Sequence, residues 1–417
     1  MEEKCKKNIK IYANYEMIAY DWLFYYAISV LYITITKGMS LSDVMIISAT
    51  FSIFSMLFFF MSNKIIKILK TKESIVLGNF CVMLQMLFYI FSKNIIWFIV
   101  GNFIGALGFS LKSVSEGNLI YTSLKKIGKK EEFSKINGKA NARYSYINAI
   151  TSAISGTLFV INNYLPLILC LIFTIISLVF SLFFSNIPED EGDAQKRNVE
   201  KNIFKILKSS RMKALLFSAF IFSGIIAVAS NLYTSILINF EIKEQYITVI
   251  ACISSIFLGI GQKLSSKIQN VLKNKAIMVN LVTYGIVFTI LGMIGYYNIL
   301  NIFTLSIFII ILAIIGLIQG NYRIALKKYF LSFTTHYNRD KIISTYYIFE
   351  YLGQSLFLVM SSALLKVYTD SVVTIIISLT LLILSIIICV YAEGRLGLKP
   401  EEYKKEEING YVVNDKK

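Results

Sequence analysis

Residues 165–185 read LPLILCLIFTIISLVFSLFFS, an apolar run without a single charged residue. A helix rises about 1.5 Å per residue, so a run of about 20 residues crosses the roughly 30 Å of hydrocarbon in a bilayer. Residues 371–392 (SVVTIIISLTLLILSIIICVYA) show the same pattern. Both runs are apolar on every face, which excludes an amphipathic surface helix. We therefore predict that both segments are transmembrane helices.

The composition extends this prediction to the whole chain. Of its 417 residues, 56% are hydrophobic and 16% are charged, whereas soluble proteins carry about 25% charged residues. No proline falls in the middle of an apolar block, so helix bends are expected at glycines. The predicted spans are 14–36, 42–62, 74–92, 95–122, 141–162, 165–185, 211–238, 246–264, 276–296, 299–325, 342–365 and 371–392.

The distribution of basic residues predicts the orientation of these spans. Of the 42 lysines and arginines, those in the loops of one side are only Lys37, Lys93, Lys243 and Lys366. Loops rich in lysine and arginine stay in the cytoplasm, so both termini are predicted to be cytoplasmic. This bias explains the net charge of +17 without a nucleic-acid partner. The predicted partners are the lipid bilayer and a small-molecule substrate.

A polar interruption near the middle of the chain predicts two halves of six spans each. Residues 1–185 form the first half and residues 211–392 the second, and 186–210 is a cytoplasmic central loop. Residues 393–417 form a cytoplasmic tail. An internal repeat supports this division, since KIIKILKTK and KIQNVLKNK each follow the second span of their half. The basic residues of these two predicted gating loops are Lys64, Lys67, Lys70, Lys72, Lys267, Lys273 and Lys275.

This organisation resembles the Major Facilitator Superfamily, and residues 113–124 (SVSEGNLIYTSL) are similar to a pattern in many of its bacterial members. The resemblance implies an all-α membrane protein with twelve transmembrane helices in two six-helix bundles related by a pseudo-two-fold axis. It also implies a monomer that works by alternating access. The motifs of proton-coupled drug exporters are incomplete. Lys67 stands where the superfamily has an aspartate, Gly101 where such exporters have an arginine, and Gly156 lacks the proline that follows in their fifth span.

Ionisable residues within spans are the candidate functional residues. Each costs at least about 2.5–3.5 kcal/mol at membrane depth, so it is expected to face a cavity or a partner. Glu16 lies close enough to the cytoplasmic end of span 1 that it is expected to need no partner. The candidates for a substrate or proton pathway are Asp21, Lys112, Glu116, Arg323 and Glu350.

Three of these candidates are predicted to form a cluster. Lys112 and Glu116 are four residues apart and share one helix face, and Asp21 lies at a similar depth in span 1. In the superfamily, spans 1 and 4 line the central cavity, which implies that the three side chains meet there. Two acids and one base leave one carboxylate without a full counter-charge, as a proton carrier requires. A purely structural ion-pair network is the alternative.

Other side chains in the spans have two interpretations each. Arg323 and Glu350 are predicted to pair in the second half, unless Arg323 extends to the membrane edge instead. Several tyrosines are candidates for lining a substrate cavity, although interfacial or packing roles are common for this residue type. They are Tyr25, Tyr26, Tyr346, Tyr347 and Tyr351.

The function that follows is secondary active transport. The sequence contains no phosphate-binding loop, nucleophile elbow or metal-ligand spacing, so we predict no enzyme activity and no cofactor. The favoured version is proton-coupled export of small amphipathic or cationic compounds across a bacterial plasma membrane. Uptake of a sugar, organic acid or peptide is the alternative. A membrane-embedded enzyme and a non-transporting sensor are remote alternatives.

Overall fold

The computed structural model describes residues 1–129, 132–188, 210–272, 275–299, 301–332 and 339–392. Within these ranges every regular element is a helix and there is no strand. The helices are α1 (Glu2–Ala19), α2 (Tyr26–Thr36), α3 (Leu41–Leu69), α4 (Thr71–Ile90), α5 (Ile95–Lys126), α6 (Phe133–Ile161), α7 (Leu165–Leu182), α8 (Ser210–Asn239), α9 (Glu244–Leu272), α10 (Ala276–Tyr297), α11 (Ile302–Ser332), α12 (Arg339–Leu365) and α13 (Asp370–Ala392).

Helices α3 to α13 are the candidate membrane spans. In the described part of the chain, these 11 helices are long and apolar enough to span a bilayer. Their apolar parts coincide with predicted spans 2 to 12 to within a few residues, because long uncharged runs mark such helices directly. The prediction of a multi-pass, all-α membrane protein is confirmed.

The prediction that residues 14–36 form one continuous span is wrong. Helix α1 ends at Ala19, residues 20–25 are unwound, and α2 passes from 3₁₀ through α to π geometry. The Asp21 carboxylate accepts a hydrogen bond from the Trp22 backbone N–H at 2.9 Å, a local bond that competes with the helix. Phe24 has a φ of 66°, which is unusual for a bulky residue. This break contains no glycine or proline, so the expectation that bends occur at glycines is also wrong.

The first basic segment, 64–72, is mostly helical and is not the loop that we predicted. Lys64 and Lys67 belong to α3, and Lys72 belongs to the first turn of α4. Only Lys70 lies between the two helices, with a φ of 68°. Lysine favours helix, and outside the hydrocarbon its ammonium is hydrated, so α3 continues beyond the membrane.

The second basic segment is divided in the same way. Lys267 lies in the last turns of α9, and Lys275 precedes α10 as its N-cap residue. Lys273 lies outside the described residues. So do most of the central loop predicted at 186–210 and the whole tail at 393–417.

The order of helix packing repeats between the two halves of the chain. In the first half α5 packs on α3 and α4, and α4 packs on α7. In the second half α11 packs on α9 and α10, and α10 packs on α13. Helices α3 and α6 contact α12 and α9 across the boundary between the halves. The break in the first span faces this boundary, since the chain at Tyr26–Ile28 contacts both α6 and α9.

Glycines allow the closest helix crossings. A Cβ added to Gly353 of α12 would lie 1.9 Å from the carbonyl oxygen of Phe220 on α8. In the first half, a Cβ at Gly108 of α5 would lie 2.6 Å from the Gly78 carbonyl oxygen on α4. Small residues at such crossings let backbones approach closely, which is how membrane helices gain packing energy without a hydrophobic driving force.

We expect Gly353→Ala to lower the melting temperature of the purified protein by several degrees, because the methyl group would force α8 and α12 apart. Overpacking of this kind costs about 1–3 kcal/mol. The matched control is Gly259→Ala in α9, where an added Cβ has no neighbour within 4 Å. The control should be neutral or slightly stabilising, because alanine favours helix. Equal melting temperatures for the two variants would contradict the close crossing.

Candidate functional site: a polar cavity between the two halves

A cavity of about 590 Å³ lies between the two halves of the chain. It is lined by the break between α1 and α2 and by residues of helices that include α3, α8, α11 and α12. This volume falls within the range of about 300–1,000 Å³ that is typical of small-molecule sites. Three of the five candidate ionisable residues line it, namely Asp21, Arg323 and Glu350.

The unwound segment brings Asp21 to the cavity and buries the aromatic residue beside it. Trp22 is 6% exposed and packs edge-on against Tyr25 and Tyr89, with ring centroids 5.1 Å and 5.3 Å away. A regular helix would hold the side chains of residues 21 and 22 about 100° apart around its axis. The break frees this segment from that constraint, so that the acid faces the cavity while the indole packs against α4.

A buried network holds this wall of the cavity in place. The Tyr89 hydroxyl donates to the side-chain oxygen of Asn102. The amide of Asn102 in turn donates to the Ile47 carbonyl oxygen at 2.6 Å and to Thr50 Oγ1 at 2.8 Å. Helices α3, α4 and α5 are therefore joined by one polar cluster behind the aromatic wall. Such bonds are costly to break in a membrane, so the wall is fixed.

Tyrosines form much of the cavity lining. All five tyrosines singled out from the sequence line the cavity, and the Tyr346 hydroxyl donates to Glu350 Oε1. Sequence reasoning did not single out four more, which are Tyr20, Tyr89, Tyr233 and Tyr322. Only Tyr20 had a sequence signal, since it is adjacent to Asp21. The side chains of Tyr20 and Tyr26 are 42% and 51% exposed, so both present polar and aromatic surface to a solute.

Arg323 lines the cavity from α11, in the second half of the chain. Its side chain is exposed and lines the cavity. Among the described residues, no carboxylate oxygen lies within 4.0 Å of its guanidinium, and it takes part in no hydrogen bond. The structure therefore does not bring Arg323 and Glu350 within ion-pair distance, although both line the same cavity.

Glu116 and Lys112 lie outside the cavity lining, in a buried cluster of the first half. They are 7% and 3% exposed. The Tyr15 hydroxyl donates to Glu116 Oε1 and accepts from Asn79 Nδ2 at 2.7 Å. Glu16 is 5% exposed and adds its negative charge to that of Glu116. The expectation that Glu16 needs no partner is wrong, because α1 continues beyond the N-terminal end of predicted span 1 and its neighbours bury this carboxylate.

Lys112 lies between this buried cluster and the cavity. Its ammonium is 6.0 Å from the ring centroid of Tyr15 and 5.7 Å from that of Phe109, which lines the cavity. Its positive charge acts on the carboxylates of both Asp21 and Glu116. The predicted cluster is thus spread over two places, with Asp21 in the cavity, Glu116 behind it, and Lys112 between them.

A model of the Major Facilitator Superfamily matches residues 17–310 of the chain. A mutant of the nucleoside transporter NupG superposes with a TM-score of 0.75 at 11% identity, covering 93% of this chain and 99% of that chain. A POT family transporter in complex with a thioalcohol-conjugated peptide gives 0.70 at 13% identity, covering 96% of each chain. Another, in complex with 5-aminolevulinic acid, gives 0.69 at 14% identity with the same coverage. No curated protein sequence matches the chain.

Proposed function

Because this chain belongs to the Major Facilitator Superfamily, we propose that it is a secondary active transporter in which two six-helix bundles alternate around the central cavity. The first bundle is residues 1–185, with α1 and α2 as one interrupted span, and the second is residues 211–392. The repeated packing order of the helices supports this division, since parallel repeats are typical of such transporters.

The observation that carries the proposal is the position of Asp21. It stands at the break between α1 and α2, and its carboxylate borders a cavity between the two halves. Acidic residues at membrane depth are typical of proton pathways. Asp21 is therefore proposed as the proton-binding residue, with Lys112 and Glu116 behind it. Arg323 and Glu350 belong to the solute side of the same pathway. The basic residues of the two gating segments keep their proposed role at the cytoplasmic ends of the helices.

Different groups of the cavity lining support two alternatives for the solute class and the direction of transport. Proton-coupled export of a small amphipathic or cationic compound is supported by the two carboxylates and the tyrosine rings, which attract cations. Uptake of a polar nutrient is supported by the many hydroxyl and amide groups of the cavity. Nucleosides and peptides are the solutes in the names of the similar structures, and a cavity of about 590 Å³ would hold either a nucleoside or a short peptide.

The proposed setting is the plasma membrane of a bacterium. The asymmetry of lysine and arginine between the loops supports cytoplasmic termini. The protein is proposed to work as a monomer, because each chain would contain both bundles and a complete cavity.

Accumulation of dyes and drugs in an efflux-deficient bacterial host tests the export version. Export predicts lower accumulation with the wild-type chain than with empty vector, and loss of this difference with Asp21→Asn or after addition of an uncoupler. Equal accumulation with wild type and empty vector, with verified membrane insertion, would reject export of these compounds. Uptake assays with radiolabelled nucleosides and peptides would then test the second version.

A further inference from the structure

Arg323 is the cation of the cavity lining among the described residues, and the proposed function does not say which group of the solute it contacts. A guanidinium at membrane depth is energetically costly, and this one is neither hydrogen-bonded nor within 4.0 Å of a carboxylate oxygen among the described residues. Buried or cavity arginines are normally retained with a partner. A solute that enters the cavity can therefore supply a partner for Arg323.

The acids that face Arg323 are already engaged by other groups. The phenolic and acidic groups around it are Tyr20, Glu350, Tyr346 and Asp21. Glu350 accepts a hydrogen bond from Tyr346, one turn before it on α12. Asp21 accepts one from the backbone N–H of Trp22. The N–H groups of the guanidinium are therefore available to a ligand. Their planar arrangement matches two oxygens of a carboxylate or phosphate.

We propose that the transported solute carries an oxyanion, a carboxylate or a phosphate, that binds Arg323 in the central cavity. This inference rests on the proposed transport function and specifies its substrate class. Among the described residues that line the cavity, one is a cation and two are acids, so an oxyanion at Arg323 leaves Asp21 available for a proton or for an amino group of the same solute. A purely cationic compound would leave the N–H donors of this guanidinium without an acceptor.

The test uses pairs of compounds that differ in the oxyanion alone. The melting temperature of the purified protein is measured in the presence of each member of four pairs. The pairs are benzoate and benzamide, nicotinate and nicotinamide, glucose 6-phosphate and glucose, and uridine 5′-monophosphate and uridine. Benzylamine and tetraphenylphosphonium serve as cationic probes. We expect the oxyanion member of at least one pair to raise the melting temperature while its neutral partner does not. Comparison of the carboxylate pairs with the phosphate pairs identifies which oxyanion is bound.

Variants then assign the effect to this arginine. Arg323→Gln should weaken binding of the stabilising oxyanion by about 10- to 100-fold, as expected for loss of a charge-assisted bidentate contact. Arg323→Lys should recover part of the affinity. The matched control is Arg143→Gln, since Arg143 lies outside the cavity lining and already donates to Asn14 at 3.0 Å. The control should bind like the wild type.

Each other outcome overturns the inference. Stabilisation by neutral or cationic compounds alone would reject the oxyanion and leave the transport proposal intact. Oxyanion binding that is unchanged in Arg323→Gln would show that Arg323 is not the binding residue. Stabilisation by none of the probes would reject the inference, and a transport assay that then shows no flux would reject the proposed function as well.

Discussion

Lys112→Met is expected to destabilise the protein more than any other single substitution considered above. Lys112 is 3% exposed, and its ammonium acts on the carboxylates of Asp21 and Glu116. Its removal would leave Glu116 beside Glu16 with no other cation acting on it among the described residues. Breaking a buried charge arrangement in this way costs about 3–5 kcal/mol. The measurement is thermal unfolding of the purified protein, followed by tryptophan fluorescence.

A second substitution distinguishes the effect of the unbalanced charge on stability from the effect of losing the packing of the Lys112 side chain. Lys112→Met combined with Glu116→Gln removes one charge of each sign, so most of the lost stability should return. Transport should not return, because the proposed proton pathway would be absent from the double variant. The control is Lys129→Met, where an exposed ion pair with Glu132 at 3.3 Å is removed and less than about 1 kcal/mol should be lost. Failure of Glu116→Gln to rescue stability would show that the two charges are not coupled.

Cross-linking α3 to α12 is expected to stop transport completely. Ser42 and Ser362 lie at the ends of these helices that are predicted to be extracytoplasmic. Their hydroxyl oxygens are 2.8 Å apart, and each serine also donates to the backbone carbonyl oxygen of the other, at 3.0 Å and 3.1 Å. Alternating access requires this contact to open in every cycle. A disulfide between Ser42→Cys and Ser362→Cys would hold it closed.

The matched control is a disulfide within one half. Thr289 Oγ1 and Ser378 Oγ are 2.9 Å apart and join α10 to α13, which are proposed to move together. The five native cysteines are free, so both pairs are introduced after these have been replaced with serine or alanine. Oxidation should abolish transport in the variant with Ser42→Cys and Ser362→Cys but not in the control variant, and reduction should restore it. Full transport with the cross-link formed would contradict rocking of the two halves.

The sequence predicts the helices well because apolar length is a local property of the chain. The run at 165–185 contains enough information to identify its helix, and the same holds for the other spans up to 392. The interruption of the first span was not predictable in this way. Residues 14–36 are apolar enough to span, and the unwound turn depends on Asp21, Trp22 and their neighbours on α4, which are tertiary contacts.

The site was partly predictable for a related reason. Charge at membrane depth singles out a residue, so Asp21, Arg323 and Glu350 were found, and all three line the cavity. Which charges meet depends on helix rotation, which the sequence does not determine. Lys112 and Glu116 share a helix face as predicted, but that face packs against Tyr15 and away from the cavity. Tyr15 and Asn79 carry no charge, so no sequence signal marked them.

Proton movement in proteoliposomes tests the central claim most directly. The protein is reconstituted with a pH-sensitive dye inside, and the compounds of the matched pairs, together with the cationic probes, are added outside in turn. The account predicts an internal pH change that occurs only when a transported solute is added, with a fall for symport or a rise for antiport, and that is absent in Asp21→Asn. Solute flux without any proton movement, or proton flux that needs no solute, would contradict it.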